Sequence, residues 1–214
     1  MKRPAIDTKP RKLPRQARAK ATVDAVITAA ASVLVAEGYE RTTTSRVAER
    51  AGVSVGSLYQ YFPNKEALVA ALIERHANEV VAVMRRALAE AATASLDDAL
   101  LAIIRAGADA HRIDPALHKI LHEQVPRVGK IKKAMNTSRQ LVQALEQLLR
   151  ARADELHPDR DPALAAIVIE TAVEALAHKA VHERGPLFGA GVLEREAHAL
   201  IAAYVARPRP AHRP

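Results

Sequence analysis

The chain has 214 residues, 49% of them hydrophobic, with no cysteine and a net charge of +8. That hydrophobic share can fill the core of one mid-sized domain, or of a small domain fused to a larger one, and eight glycines with little β-branched alternation favour an all-α fold. The lack of cysteine excludes disulfides, thiolate metal sites and thiol redox sensing, and no apolar run of roughly 18 residues or signal-peptide pattern is present, so a cytoplasmic protein with no membrane partner is expected.

The positive charge is concentrated at the start. Residues 1–20 carry eight Lys/Arg against the single acid Asp7, and Pro4, Pro10 and Pro14 interrupt them. Residues 1–17 are expected to form a disordered basic arm that follows phosphates or enters a minor groove; a solubilising tail is the alternative. A helix is predicted over 18–37, with Val23, Val26, Ile27, Ala30, Val33 and Leu34 as its buried stripe and Gly38 as its stop.

Thr43 is placed to cap a second, short helix, in which Thr44, Val47, Ala48 and Ala51 share one face. Arg46 stands where a capping-box acid is common, which weakens the cap and adds a candidate phosphate contact. Gly52 supplies a residue able to take positive φ at the turn. A third helix follows, with Leu58 and Phe62 pointing back at the second, until Pro63 ends it. Asn64 can cap a fourth helix that runs to about Ala92 through Leu68, Leu72, Ile73, Val80, Val83, Met84 and Leu88, on the order of 40 Å long. Further helices are predicted near 96–111, 115–123, 131–156, 162–183 and 193–206, with Gly185-Pro186 closing the penultimate one and residues 207–214 a disordered tail.

Two short helices about a tight glycine turn make a helix-turn-helix, whose second helix can lie in a major groove. Val55, Gly56, Ser57, Tyr59 and Gln60 fall on or near its outward side. The Gln60 amide can donate and accept together against an adenine edge, Ser57 can hydrogen-bond several bases, and Val55 can touch a thymine methyl. Gly56 allows close backbone approach, and Thr44 faces the same groove from the preceding helix.

The stretch resembles the DNA-binding domain of the tetracycline-repressor (TetR) family. The matching features are Gly38-Tyr39, Thr42-Thr43, Val47-Ala48, Ala51-Gly52-Val53-Ser54, Gly56, Leu58-Tyr59-Gln60-Tyr61-Phe62 and Lys65-Glu66-Ala67-Leu68. They cover roughly residues 20–70, about a quarter of the chain. The resemblance implies a three-helix DNA-binding domain over 18–66, with the helix-turn-helix at about 42–62. A long helix would join it to a helical ligand-binding and dimerisation domain over 67–206. It also implies that Thr43, Tyr59, Tyr61 and Lys65 hold phosphates, with packing as the alternative role for each tyrosine. Thr43, Thr44, Arg46, Ser54, Val55, Gly56, Ser57, Tyr59, Gln60, Tyr61 and Lys65 are therefore the candidate DNA-binding set. In proteins of this kind the last two helices pair with their symmetry mates. That makes Leu164, Ile167, Val168, Thr171, Leu176, Leu193, Ala197, Leu200, Ile201 and Tyr204 a candidate homodimer interface, the alternative being packing within one subunit.

The function expected is that of a ligand-responsive transcriptional repressor, not an enzyme, binding a pseudo-palindromic double-stranded DNA operator as a dimer. An activator of the same fold, or a helical enzyme or ligand carrier, are the alternatives. Only Phe188 and Tyr204 provide aromatics outside the DNA-reading segment, so an aliphatic effector is favoured over a stacked planar or caged cationic one. Two weaker patterns are present. Gly52-Val53-Ser54-Val55-Gly56 matches the hydrolase G-x-S-x-G elbow, but the charged helical VAERA before it is no buried strand. His118 and His122, and His178 and His182, are spaced as helical metal clamps, with Glu174 one turn before His178. Without a second cluster at fixed spacing, no metal or cofactor is assigned to them, and the run Lys130, Lys132, Lys133 reads as a solvated face.

Overall fold

The computed structural model describes residues 10, 16–125, 130–183 and 191–207. Most of the basic arm, Gly185-Pro186, Phe188, the side chains of His182, Lys130, Lys132 and Lys133, and residues 208–214 lie outside the described residues. Among the described residues there are nine α-helices, one 3-10 turn and no strand: α1 (Ala17–Glu37), α2 (Thr44–Ala51), α3 (Val55–Tyr61), α4 (Lys65–Glu90), the turn Ala91–Thr93, α5 (Leu96–Arg112), α6 (Pro115–Glu123), α7 (Lys130–Arg150), α8 (Pro162–Glu183) and α9 (Val192–Val205). They form two compact units, one of residues 1–78 with 116–134, the other of 79–115 with 135–214.

In the first unit, α1 buries Val26, Ile27, Ala29, Ala30, Val33 and Leu34. Its length and mean hydropathy would suit a membrane span, although Asp24 and the threonines keep it from being an unbroken apolar run. Here those side chains meet Val47, Ala48, Leu58, Phe62, Leu68 and Leu72 in one core, completed by Leu117, Leu121 and Val125 from α6 and the residues after it. Gly38 ends α1 with φ +81°, its amide donating to the Leu34 carbonyl at 2.9 Å. The next amide, Tyr39 N–H, donates to Gln124 Oε1 at 3.2 Å. That bond ties the α1–α2 corner to the end of α6.

The second unit is built on Met84, Leu88, Leu100, Ile103, Leu145, Leu149, Ile169 and Ile201, drawn from α4, α5, α7, α8 and α9. Gly107 of α5 lies so near Val173 of α8 that a Cβ there would overlap the valine side chain. Close approach of the two helices requires the glycine.

The predicted helix 131–156 stops earlier, at Arg150. Arg152 lies just past that end. Its buried guanidinium turns back to donate to the carbonyls of Ala91 (2.6 Å), Ala92 (2.9 Å) and Ala94 (2.9 Å), at the end of α4 and the 3-10 turn, where Ala91 also accepts from the Ala94 amide at 3.2 Å. The chain then makes an isolated bridge between Leu156 and Ala206.

Candidate nucleic-acid interface

The α2–α3 segment is set by local chemistry. Thr43 Oγ1 accepts from Arg46 N–H at 3.3 Å and caps α2. Gly52 closes α2 in the left-handed region, φ +67°. Ser54 Oγ accepts from Ser57 N–H at 3.0 Å and also lies 2.8 Å from Ser57 Oγ, so it starts α3. The serine of the hydrolase-like pentapeptide is thus a helix cap, preceded by a turn and not by a strand. Behind α3, Leu58 and Phe62 are buried at 0% and 1% exposure, and Ala48 of α2 is wholly buried at the crossing.

In front, Val55, Gly56, Tyr59 and Gln60 are exposed and Ser57 is half-buried. The Tyr59 hydroxyl meets Thr44 Oγ1 at 3.0 Å, which joins the outward sides of α2 and α3 into one polar surface. A Cβ at Gly56 would meet nothing nearer than Ser54 Oγ at 3.9 Å. Packing within the protein therefore does not demand glycine at this position.

Two candidate phosphate ligands, Arg46 and Lys65, have internal partners that sequence spacing did not reveal, and Tyr61 takes the packing position that was its alternative. Arg46 Nε donates to Glu37 Oε2 at 2.6 Å, pairing α2 with the end of α1. Lys65 Nζ donates to the Tyr39 carbonyl at 3.1 Å and stands 4.2 Å from the centre of its ring. Tyr61 is half-buried and packs against the core of the unit. Thr43 is exposed.

The second unit holds a cleft enclosing about 420 Å³, part of it open to solvent. Met84, Ile103, Leu141, Leu145, Ile169 and Val173 form most of its apolar wall, and His111, Glu170 and Glu174 bring polar groups to it. No Phe, Tyr or Trp is among its described lining residues. Burial disfavours a charged ring at His111. The Glu174 carboxylate, by hydrogen bond and by charge, and the Gly107 carbonyl outweigh that, so His111 titrates above the usual histidine range. Within the first unit, His118 Nδ1 lies 3.2 Å from His76 Nε2.

Of the candidate dimer residues, Leu164, Ile167, Val168, Thr171 and Leu200 are exposed, and Leu176 and Tyr204 are half-buried. Leu193, Ala197 and Ile201 are not on that surface. They are 7%, 2% and 2% exposed and turn into their own unit, the last two as part of its core cluster. Helix α9 is apolar on two sides, and periodicity did not say which side faced inward.

A helix-turn-helix joined to a helical body defines a known class of regulator. Residues 26–72 match the family model described as bacterial regulatory proteins, tetR family, and residues 95–205 match the one described as the tetracyclin repressor-like C-terminal domain. The chain belongs to the TetR family. It is 35% identical over 69 residues to the fatty acid metabolism regulator protein of Bacillus subtilis, a match covering 32% of this chain and 36% of that protein. It is 32% identical over 119 residues to an uncharacterised HTH-type transcriptional regulator of Mycobacterium bovis, covering 55% of this chain and 58% of the relative. These matches span less than two thirds of either relative. Among solved structures, the fatty acid degradation regulator FadR from Bacillus halodurans superposes with a TM-score of 0.69 at 21% identity, over 88% of this chain and 96% of that one, a likeness of fold.

Proposed function

We propose that the protein is a DNA-binding transcriptional regulator, acting as a ligand-responsive repressor on a pseudo-palindromic operator. The observation that carries this reading is the outward side of α3. Val55, Gly56, Tyr59 and Gln60 are exposed there over a fully buried Leu58, and Gly56 has no packing duty. The surface suits an approach to base edges, with Gln60, Ser57 and Val55 reading bases and Thr43, Thr44, Tyr59 and Ser54 setting register. Arg46, Tyr61 and Lys65 contribute from the positions their internal partners give them, and the basic arm adds phosphate contacts.

The protein acts as a homodimer through Leu164, Ile167, Val168, Thr171 and Leu200, with Leu176 and Tyr204 at its edge. Two reading heads then meet half-sites about 34–36 Å apart. The aliphatic lining of the cleft supports an aliphatic small-molecule effector. By binding one conformation more tightly than the other, it lowers the DNA-competent population.

A gel shift against the DNA flanking the protein's own gene tests the core of this proposal. A discrete shifted band that resists heparin competition is expected. Binding no stronger than to unrelated duplex would favour a ligand carrier that uses the first unit only for packing.

A further inference from the structure

On α8, Glu174 is held between two imidazoles. Its Oε2 lies 3.4 Å from His111 Nε2, and its Oε1 lies 3.5 Å from His178 Nε2. The two rings meet edge to face with centroids 5.3 Å apart, and a nitrogen of each lies within 4.8 Å of the other. His111 is buried at 4% exposure, while Glu174 is 53% exposed.

The protonation pattern of His111 is constrained. Its Nδ1 lies 2.8 Å from the Gly107 carbonyl, one turn back on α5. A carbonyl only accepts, so Nδ1 carries the proton, and Nε2 of the neutral ring presents a lone pair to the Glu174 carboxylate. Lone pair facing carboxylate calls for a cation between them, either a proton or a metal ion. An Nδ1–H to carbonyl bond is also how metal-binding histidines are oriented and made more basic. The spacing fits as well. Two ligand atoms, each about 2.0–2.1 Å from a tetrahedral zinc ion, stand about 3.3 Å apart. Side-chain rotation of the half-exposed Glu174 and His178 would close the remaining gap between the two rings.

We propose that His111, Glu174 and His178 bind a divalent transition metal ion of the zinc type at the polar side of the cleft in the second unit. Two imidazoles with one carboxylate suit zinc, cobalt or nickel, and provide too few oxygens for calcium or magnesium. Three protein ligands leave a position for water or for a donor atom of a small molecule in the cleft. On binding, the metal ion displaces whatever proton His111 Nε2 holds, and that proton is released to solvent. The sequence offered two of the three ligands, Glu174 and His178 a turn apart; His111 comes from a separate helix.

The test is titration of the full chain, freed of metal by chelation, with cobalt(II), followed in the visible d–d bands and by displacement with zinc. One cobalt per chain is expected, with the intense absorption of a four- or five-coordinate ion. Glu174→Gln and His178→Ala should each lower zinc affinity by roughly 100-fold or more, at or above what loss of an orienting partner alone costs. His198→Ala, whose ring pairs with Asp97 elsewhere, should change nothing. Because the substituted Glu174 and His178 are not fully buried, a thermal melt can confirm that those variants stay folded. Weak, unsaturating absorption of octahedral type, or zinc binding that survives both substitutions, would overturn the proposal. Neither result bears on DNA binding, which the gel shift measures separately.

Discussion

At Gly56 the proposed role in recognition can be tested apart from folding. Glycine inside a helix costs roughly 0.5–1 kcal/mol relative to alanine, and here a Cβ would meet only Ser54 Oγ at 3.9 Å. Gly56→Ala should therefore leave the urea midpoint unchanged or raise it slightly, while operator affinity falls because the methyl holds α3 away from the groove. A loss of stability with DNA binding retained would remove Gly56 from the interface. The inward residues here were legible from spacing alone, since Leu58 and Phe62 lie one turn apart and Gly52 punctuates the turn. The partners of Arg46 and Lys65 were not, because Glu37 and Tyr39 belong to the end of α1 and the loop after it, and no local pattern joins them.

At the scale of elements, contacts between distant segments decide where helices end. Nothing in the sequence between Arg150 and Leu156 breaks a helix. Arg152 nonetheless leaves it to reach carbonyls some 60 residues away, at Ala91, Ala92 and Ala94. Arg152→Met keeps most of the apolar stem but removes the guanidinium from all three carbonyls, of which Ala91 keeps the Ala94 amide. It should cost about 3 kcal/mol, measurable by urea unfolding, since charged hydrogen bonds and unmatched buried acceptors are each worth a few kcal/mol. A second pair joins α5 to α9. Glu194 Oε1 accepts from Arg112 at 2.9 Å. Burial raises the Glu194 carboxyl, but its own amide, the Arg112 guanidinium and Gly191 outweigh that, so it titrates below its usual value near 4.5. The folded chain then binds fewer protons here than the unfolded chain. The contribution of this pair is complete above about pH 4.5 and is lost as pH falls through the lower folded value. Glu194→Gln should flatten the acid side of the stability profile, and an unchanged profile would show that the pair contributes nothing.

For the whole molecule, the proposed homodimer rests on an exposed apolar strip. Leu164, Ile167 and Leu200 are 55%, 49% and 60% exposed, a combination that invites a symmetric partner. Ile167→Asp with Leu200→Asp should yield a folded monomer in sedimentation, with operator affinity reduced to that of one head. Dimers that persist in that double variant would place the interface elsewhere. The helical class and the helix order were readable from hydrophobic period and punctuation. The inward turn of Leu193, Ala197 and Ile201 was not, because Ala-rich helices offer apolar atoms on every side. Nor was the place of α6 in the core of the first unit, which depends on tertiary contacts of Leu117 and Leu121 with residues far along the chain.

Selection of bound duplexes from random DNA, carried out in parallel with the native chain and with Gln60→Ala, tests the reading role of α3 most directly. The expected result is an enriched two-fold symmetric sequence for the native chain, with preference relaxed in the variant at one matched position of each half-site. No enrichment by the native chain, or an identical enriched sequence from both proteins, would contradict it.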